Sequence, residues 1–135
     1  MNSRVRNYWL TLLVLVLACL ASGCPSKGRA SYQDGLRAYD AQDYNKALEL
    51  FDKALEAEPE SVMISYGRAL SLYQLQRYEE AIEAFETFLQ KSESERGSYQ
   101  DERKDAAFYR DKCKEALGIE IPQNERAIPP PPMGE

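Results

Sequence analysis

The sequence predicts an all-α fold: a short helical solenoid of two helix-turn-helix repeats followed by a C-terminal capping helix. Two observations carry this reading. The first is an echo at a spacing of 34 residues, in which Asp43-Tyr44-Asn45-Lys46-Ala47-Leu48-Glu49-Leu50-Phe51 returns as Arg77-Tyr78-Glu79-Glu80-Ala81-Ile82-Glu83-Ala84-Phe85. Tyr32, Leu36, Tyr39 and Leu55 likewise return as Tyr66, Leu70, Tyr73 and Leu89. A period of this length marks stacked helical units, each too small to bury its apolar face alone. The second is the three- and four-residue spacing of apolar side chains within each unit, which lines up one helix face.

Residues 1–23 differ in character from all that follows and read as an export signal. Arg4 and Arg6 form a basic start, Leu10 to Leu20 is an apolar run, and Ala21-Ser22-Gly23 supplies small residues before Cys24. That order is basic n-region, apolar h-region and cleavage site. The run is shorter than the roughly 20 residues needed to span a bilayer. Extended from Tyr8 to Ala21 it becomes a borderline span, so an uncleaved inner-membrane anchor stays open as an alternative.

Ala21-Ser22-Gly23-Cys24 resembles the lipobox of bacterial lipoproteins. The resemblance implies that the Cys24 thiol is diacylglycerylated, that the chain is cut just before it, and that the new amino terminus is acylated. Cys24 would then open the mature chain and anchor it firmly, because two or more acyl chains hold where one binds only marginally. Ala21 stands where Leu is commonest, and a second frame, Val16-Leu17-Ala18-Cys19, would cut inside the apolar run. Pro25, rather than Asp, follows the cysteine, which implies the outer membrane with the protein facing the periplasm. Residues 24–27 are a membrane-proximal linker.

The first repeat, 28–61, is expected to pair helices over about 29–41 and 44–57. Gly35 and Ala38 keep the first helix small where the two must approach. In the second helix Tyr44, Ala47, Leu48, Phe51, Ala54 and Leu55 form the apolar face, and Lys46, Glu49, Asp52, Lys53 and Glu56 the solvated one. Glu49 and Lys53 stand in the favourable order for an i,i+4 pair. Pro59 cannot sit inside a helix and marks the turn. The second repeat, 62–95, repeats this with helices over about 62–75 and 78–91, and Ala69 takes the place of Gly35.

Lys91 to Ser98 is polar and reads as a loop. In segment 98–118, Tyr99, Ala106, Tyr109, Cys113, Ala116 and Leu117 recur at helical spacing, and Gly118 is placed to cap the end. This helix is read as the solvating cap of the solenoid, with a degenerate third repeat as the alternative. Residues 119–135 contain Pro122 and Pro129-Pro130-Pro131-Pro132 and read as a proline-rich disordered tail.

Gly35, Tyr44, Ala47, Phe51, Ala54 and Pro59, then Ala69, Tyr78, Ala81 and Phe85, stand in the signature places of the tetratricopeptide repeat, which these units resemble. Phe88 replaces the usual Ala, and Glu93 the usual Pro. The resemblance implies a concave groove lined by the first helix of each unit. Its partner-binding candidates are Tyr32, Leu36, Tyr39 and Asp40, then Tyr66, Leu70, Tyr73 and Gln74, flanked by Arg29, Gln33 and Met63. Four tyrosines suit peptide binding, since each phenol joins apolar area to a polar tip. Chaperone-binding members clamp a C-terminal carboxylate with polar and basic side chains. Tyr32, Leu36 and Gly67 occupy those places here, so that use is disfavoured.

Composition narrows the function further. The chain holds 17 Lys and Arg against 22 Asp and Glu; without residues 1–23 the balance is 15 against 22, a formal charge of −7. An acidic surface repels phosphate backbones, so no nucleic-acid partner is expected. With no histidine, the Ser-His-Asp and Cys-His arrangements and the usual His-ligated zinc sites are excluded. No catalytic residue, cofactor or metal is expected, and Cys113 reads as a buried structural thiol. Two repeats and a cap bury a small core. The expected partners are therefore an envelope protein or peptide, with self-association through a flank near Phe88 as a further route. By analogy with tetratricopeptide lipoproteins, the reading is an adaptor in assembly of an envelope complex, with recruitment or regulation of a cell-wall enzyme as the alternative.

Overall fold

The computed structural model describes residues 27–95 and 97–127. The signal at 1–23, Cys24 and tail residues 128–135 lie outside the described residues. Among the described residues five α-helices and one 3-10 turn follow one another: α1 (Lys27–Asp40), α2 (Tyr44–Ala57), α3 (Val62–Gln74), α4 (Tyr78–Lys91), the turn Ser92–Glu95, and α5 (Gln100–Ala116). There is no strand among the described residues, and the all-α repeat architecture is as the sequence predicts.

Ring contacts fix the hairpins as antiparallel. Tyr39 meets Tyr44 at the turn while Tyr32, about two helical turns earlier, meets Phe51. Tyr73 with Tyr78 and Tyr66 with Phe88 repeat the pattern in α3 and α4. The turns are also built alike. The Asp43 amide donates to the Ala38 carbonyl and that of Gln42 to Tyr39, both at 2.9 Å. Arg77 with Leu72 and Gln76 with Tyr73 do the same at 3.0 Å. This double bond pattern closes a helix through one left-handed residue, here Gln42 at φ 61° and Gln76 at φ 59°. At the end of α5, Gly118 (φ 71°) and Ile119 make the same pair of bonds to Glu115 and Lys114. So α5 ends as a first helix of a unit ends, although no second helix follows it among the described residues.

The two second helices start differently. Asp43 caps α2, its carboxylate accepting from the Lys46 amide at 3.2 Å. Arg77 holds the same place before α4 and instead grips Glu80 through two hydrogen bonds of 2.6 and 2.7 Å.

The core forms two clusters, each of which reaches across the boundary between the repeats. Ala38, Ala47, Phe51, Ala54 and Ile64 form one cluster, with Tyr32 and Tyr39 packed on it. Leu48, Leu72, Phe85, Phe88, Ala106 and Cys113 belong to the other. Phe51 is fully buried between α1 and α3, and only glycines fit beside it: a Cβ would lie 2.8 Å from its ring at Gly35 and at Gly67. The buried hydroxyl of Ser71 is satisfied by the Gly67 carbonyl at 2.9 Å.

Three expectations need correcting. Phe88 is not an open flank: it is wholly buried, 4.9 Å from Tyr66, in one cluster with Ala106 and Cys113 of α5. The reason is that α5 packs on α4 and covers the ring. Self-association through that flank therefore loses its motivation. Glu49 and Lys53 form no ion pair among the described residues; Asp52 is the α2 residue that pairs, with Arg68 of α3 at 2.6 Å. Finally, the first part of segment 119–135 is docked rather than disordered. Ile121 is 6 % exposed, Arg126 pairs with Glu115 at 3.3 Å, and the Ala127 amide donates to Asp111 at 2.7 Å. One apolar side chain and a buried acceptor hold it on α5, and proline-based reasoning does not see either.

Candidate partner-binding face

Helices α1 and α3 present the predicted tyrosines, and the structure divides them between packing and surface. Tyr32 is half-buried, its ring 6.0 Å from Phe51. Tyr39 lies edge-on to Tyr44 at 5.2 Å, and its hydroxyl oxygen accepts from Gln74 Nε2 at 3.3 Å. That bond joins the two repeats across the inner face, 35 residues apart in sequence. Tyr66 and Leu70 are half-buried against the second cluster. Tyr73 sits between Tyr78 at 6.3 Å and Tyr109 at 4.8 Å. Leu36, at 39 % exposure, and Asp40 stand at the surface.

Helix α5 adds to this face residues that the sequence analysis assigns to a cap. Tyr109 packs on Tyr73 and, at 6.1 Å, on Phe85. Glu102 and Asp105 lie within electrostatic reach of Tyr66. The available signal was the placement of Tyr99 and Tyr109 on the apolar stripe of 98–117, but their spacing alone gives no indication that α5 brings acids within electrostatic reach of Tyr66.

Burial favours the neutral form of the Tyr32, Tyr39, Tyr66, Tyr73 and Tyr109 phenols. Burial pushes the Tyr66 hydroxyl far above its ordinary value, and Asp105, Tyr109 and Glu102 push it further. Burial also raises Tyr39, against the opposing effect of the Gln74 hydrogen bond, and raises Tyr73 and Tyr109. Asp105 is raised by burial and then by its carboxylate neighbours Asp101 and Glu102, with Lys104 opposing. Neutral phenols beside carboxylates offer hydrogen bonds and ring faces, which is the chemistry of recognition.

Two further elements brace the face. Arg103 spans the end of α4, donating to the Leu89 carbonyl at 2.7 Å, to Ser92 Oγ at 2.6 Å and to Glu93 at 2.8 Å. A cation at a helix C-terminus satisfies open carbonyls and complements the dipole. Lys91 Nζ reaches the Pro59 carbonyl, tying α4 to the turn before α3. Cys113 is fully buried, and burial raises its thiol to about 11. It thus stands as the structural thiol the sequence predicts, not a reactive one.

Among the described residues no group of His, Cys, Asp and Glu could hold a metal, and no helix is long and apolar enough to cross a membrane. No curated protein sequence and no solved structure matches the chain. Residues 32–96, from α1 through the turn after α4, match the family model of the tetratricopeptide repeat, a fold that serves protein–protein interaction, and the two helix hairpins over this span are of that kind.

Proposed function

We propose that this chain is a membrane-anchored periplasmic lipoprotein whose repeat pair is an adaptor in the assembly of an envelope complex. Tetratricopeptide repeats are typically non-catalytic interaction modules, and the residues at the inner face offer binding groups rather than an acid–base pair. The observation that carries the reading is the inner face itself. Tyr32, Tyr39, Tyr66 and Tyr73 are half-buried, their rings held by Phe51, Tyr44, Phe88 and Tyr109 and part of each left at the surface. Rigid aromatic groups of this kind contribute contact area at low entropic cost. The anchor rests on Ala21-Ser22-Gly23-Cys24 and on Pro25, which favours the outer membrane.

Affinity capture from envelope extracts tests the adaptor role. A pore or pilus component retained by the native chain and lost with Leu36→Asp supports assembly through this face. Leu36 is exposed, so its replacement leaves the fold intact. Capture of a hydrolase or synthase would instead assign the chain to recruitment of a cell-wall enzyme, and capture unaffected by Leu36→Asp would move the partner site elsewhere. Cys24→Ala should abolish acyl labelling and block processing; unchanged labelling would remove the lipid anchor. Processing without labelling would leave an ordinary export signal, and a chain that keeps residues 1–23 would favour the uncleaved anchor.

A further inference from the structure

The charges of α5 are unevenly satisfied. Lys104 pairs with Asp101 at 3.1 Å, Arg103 with Glu93 at 2.8 Å, Arg110 with Asp111 at 2.7 Å, Lys112 with Glu115 at 3.0 Å, and Lys114 with Glu86 of α4 at 3.5 Å. Every cation of the helix is engaged. Two of its acids, Glu102 and Asp105, have no ion-pair partner among the described residues. They are three residues apart and so share one helix face. Both are half-buried, and both act on Tyr66.

A carboxylate drawn partly out of water with no cation paired to it is unfavourable, and a complementary cation relieves that cost; Lys104, the nearest cation acting on Asp105, is itself paired with Asp101. The surroundings suit one. The Tyr66 and Tyr109 rings, the latter 4.8 Å from Tyr73, lie within electrostatic reach of Asp105, and Tyr66 within that of Glu102 as well. Phenol rings attract ammonium and guanidinium groups and cover their aliphatic stems. The other occupants fit worse. An acidic segment would be repelled, and a purely apolar helix would bury Glu102 and Asp105 unpaired.

Building on the reading of this inner face as the partner site, we propose that it binds a cationic peptide segment of the partner. Lys or Arg side chains meet Glu102 and Asp105 and pack on Tyr66 and Tyr109. In this arrangement α5 is a wall of the binding site as well as the end of the solenoid.

Fluorescence anisotropy on the full chain in detergent tests this with three labelled peptides, repeats of Gly-Ser-Arg, Gly-Ser-Gln and Gly-Ser-Glu. The arginine peptide is expected to bind, and the glutamine and glutamate peptides to bind at least about tenfold more weakly, a difference of about 1.4 kcal/mol. Glu102→Gln with Asp105→Asn should weaken the arginine peptide by about tenfold and flatten its salt dependence. The charge-matched control, Glu49→Gln with Glu79→Gln on exposed positions of α2 and α4, should leave binding unchanged. Circular dichroism of both variants establishes that they are folded. Equal weakening in the two variants would overturn the proposal in favour of bulk charge attraction. Equal binding of the glutamine and arginine peptides would overturn the charge recognition and leave the face as a peptide site. Failure of all three peptides would also overturn it, while the Leu36→Asp capture experiment decides the adaptor reading independently.

Discussion

The ring of Phe51 occupies the space that a side chain would take at Gly67: a Cβ there would lie 2.8 Å from Cζ and 2.9 Å from Cε1. This contact joins the second helix of one repeat to the first helix of the next. Gly67→Ala should therefore destabilise the protein by about 1–3 kcal/mol through overpacking, in spite of the roughly 1 kcal/mol by which Ala exceeds Gly in helix propensity. Urea unfolding measures it, and Phe51→Leu in the same chain should recover part of the loss. A stabilising Gly67→Ala would show that the ring yields freely.

Gln42 and Gln76 hold left-handed backbone where glycine is the unstrained residue. The strain on a non-glycine residue is about 1–2 kcal/mol, partly offset by the greater flexibility of glycine in the unfolded chain. Gln42→Gly and Gln76→Gly should each raise stability by about 0.5–1 kcal/mol, read as a higher unfolding midpoint. A lower midpoint would place another contribution at these side chains.

Removal of the Arg103 guanidinium takes a charged donor from the Leu89 carbonyl and from the buried Ser92, leaving their mutual bond of 3.2 Å. Arg103→Ala should cost about 1–3 kcal/mol and speed hydrogen exchange at the end of α4. Arg103→Lys should recover only part of this, because one ammonium cannot reproduce the planar fork that meets three acceptors.

Cys113 should resist iodoacetamide in the folded protein and react once it unfolds. The sign of its pH effect follows from burial, which raises the thiol from 9.0 to about 11. The stabilisation from the neutral thiol is complete below pH 9 and is lost as pH rises toward 11. Equal labelling rates in native buffer and in urea would contradict its burial.

Asp111 is 7 % exposed and accepts from both Arg110 and the Ala127 amide. Asp111→Ala should release residues 119–127 from α5, seen as faster exchange at Ala127 and earlier proteolysis after Leu117. The helices of the two repeats should keep their protection, since the affected bonds join only α5 and the segment that follows it.

The local code was legible. The 34-residue period, the apolar stripes and Pro59 located five helices to within two residues, because helical periodicity and breakers act through neighbours in sequence. The turn residues were less legible: Gln42 and Gln76 adopt a glycine-like conformation that composition does not announce. Tyr39, Tyr66 and Tyr73 were recognisable as candidates from their register, yet nothing local tells how much of each ring goes to packing.

By itself, the sequence determined the all-α repeat class, the register of the paired helices, and the small residues where they meet. The tertiary structure decided what covers the last repeat and how the face is charged. It laid α5 over Phe88, brought Glu102 and Asp105 within electrostatic reach of Tyr66, buried Ile121 and tied Ala127 to Asp111. Those outcomes depend on contacts between segments far apart in the chain, where packing and desolvation, rather than periodicity, set the arrangement.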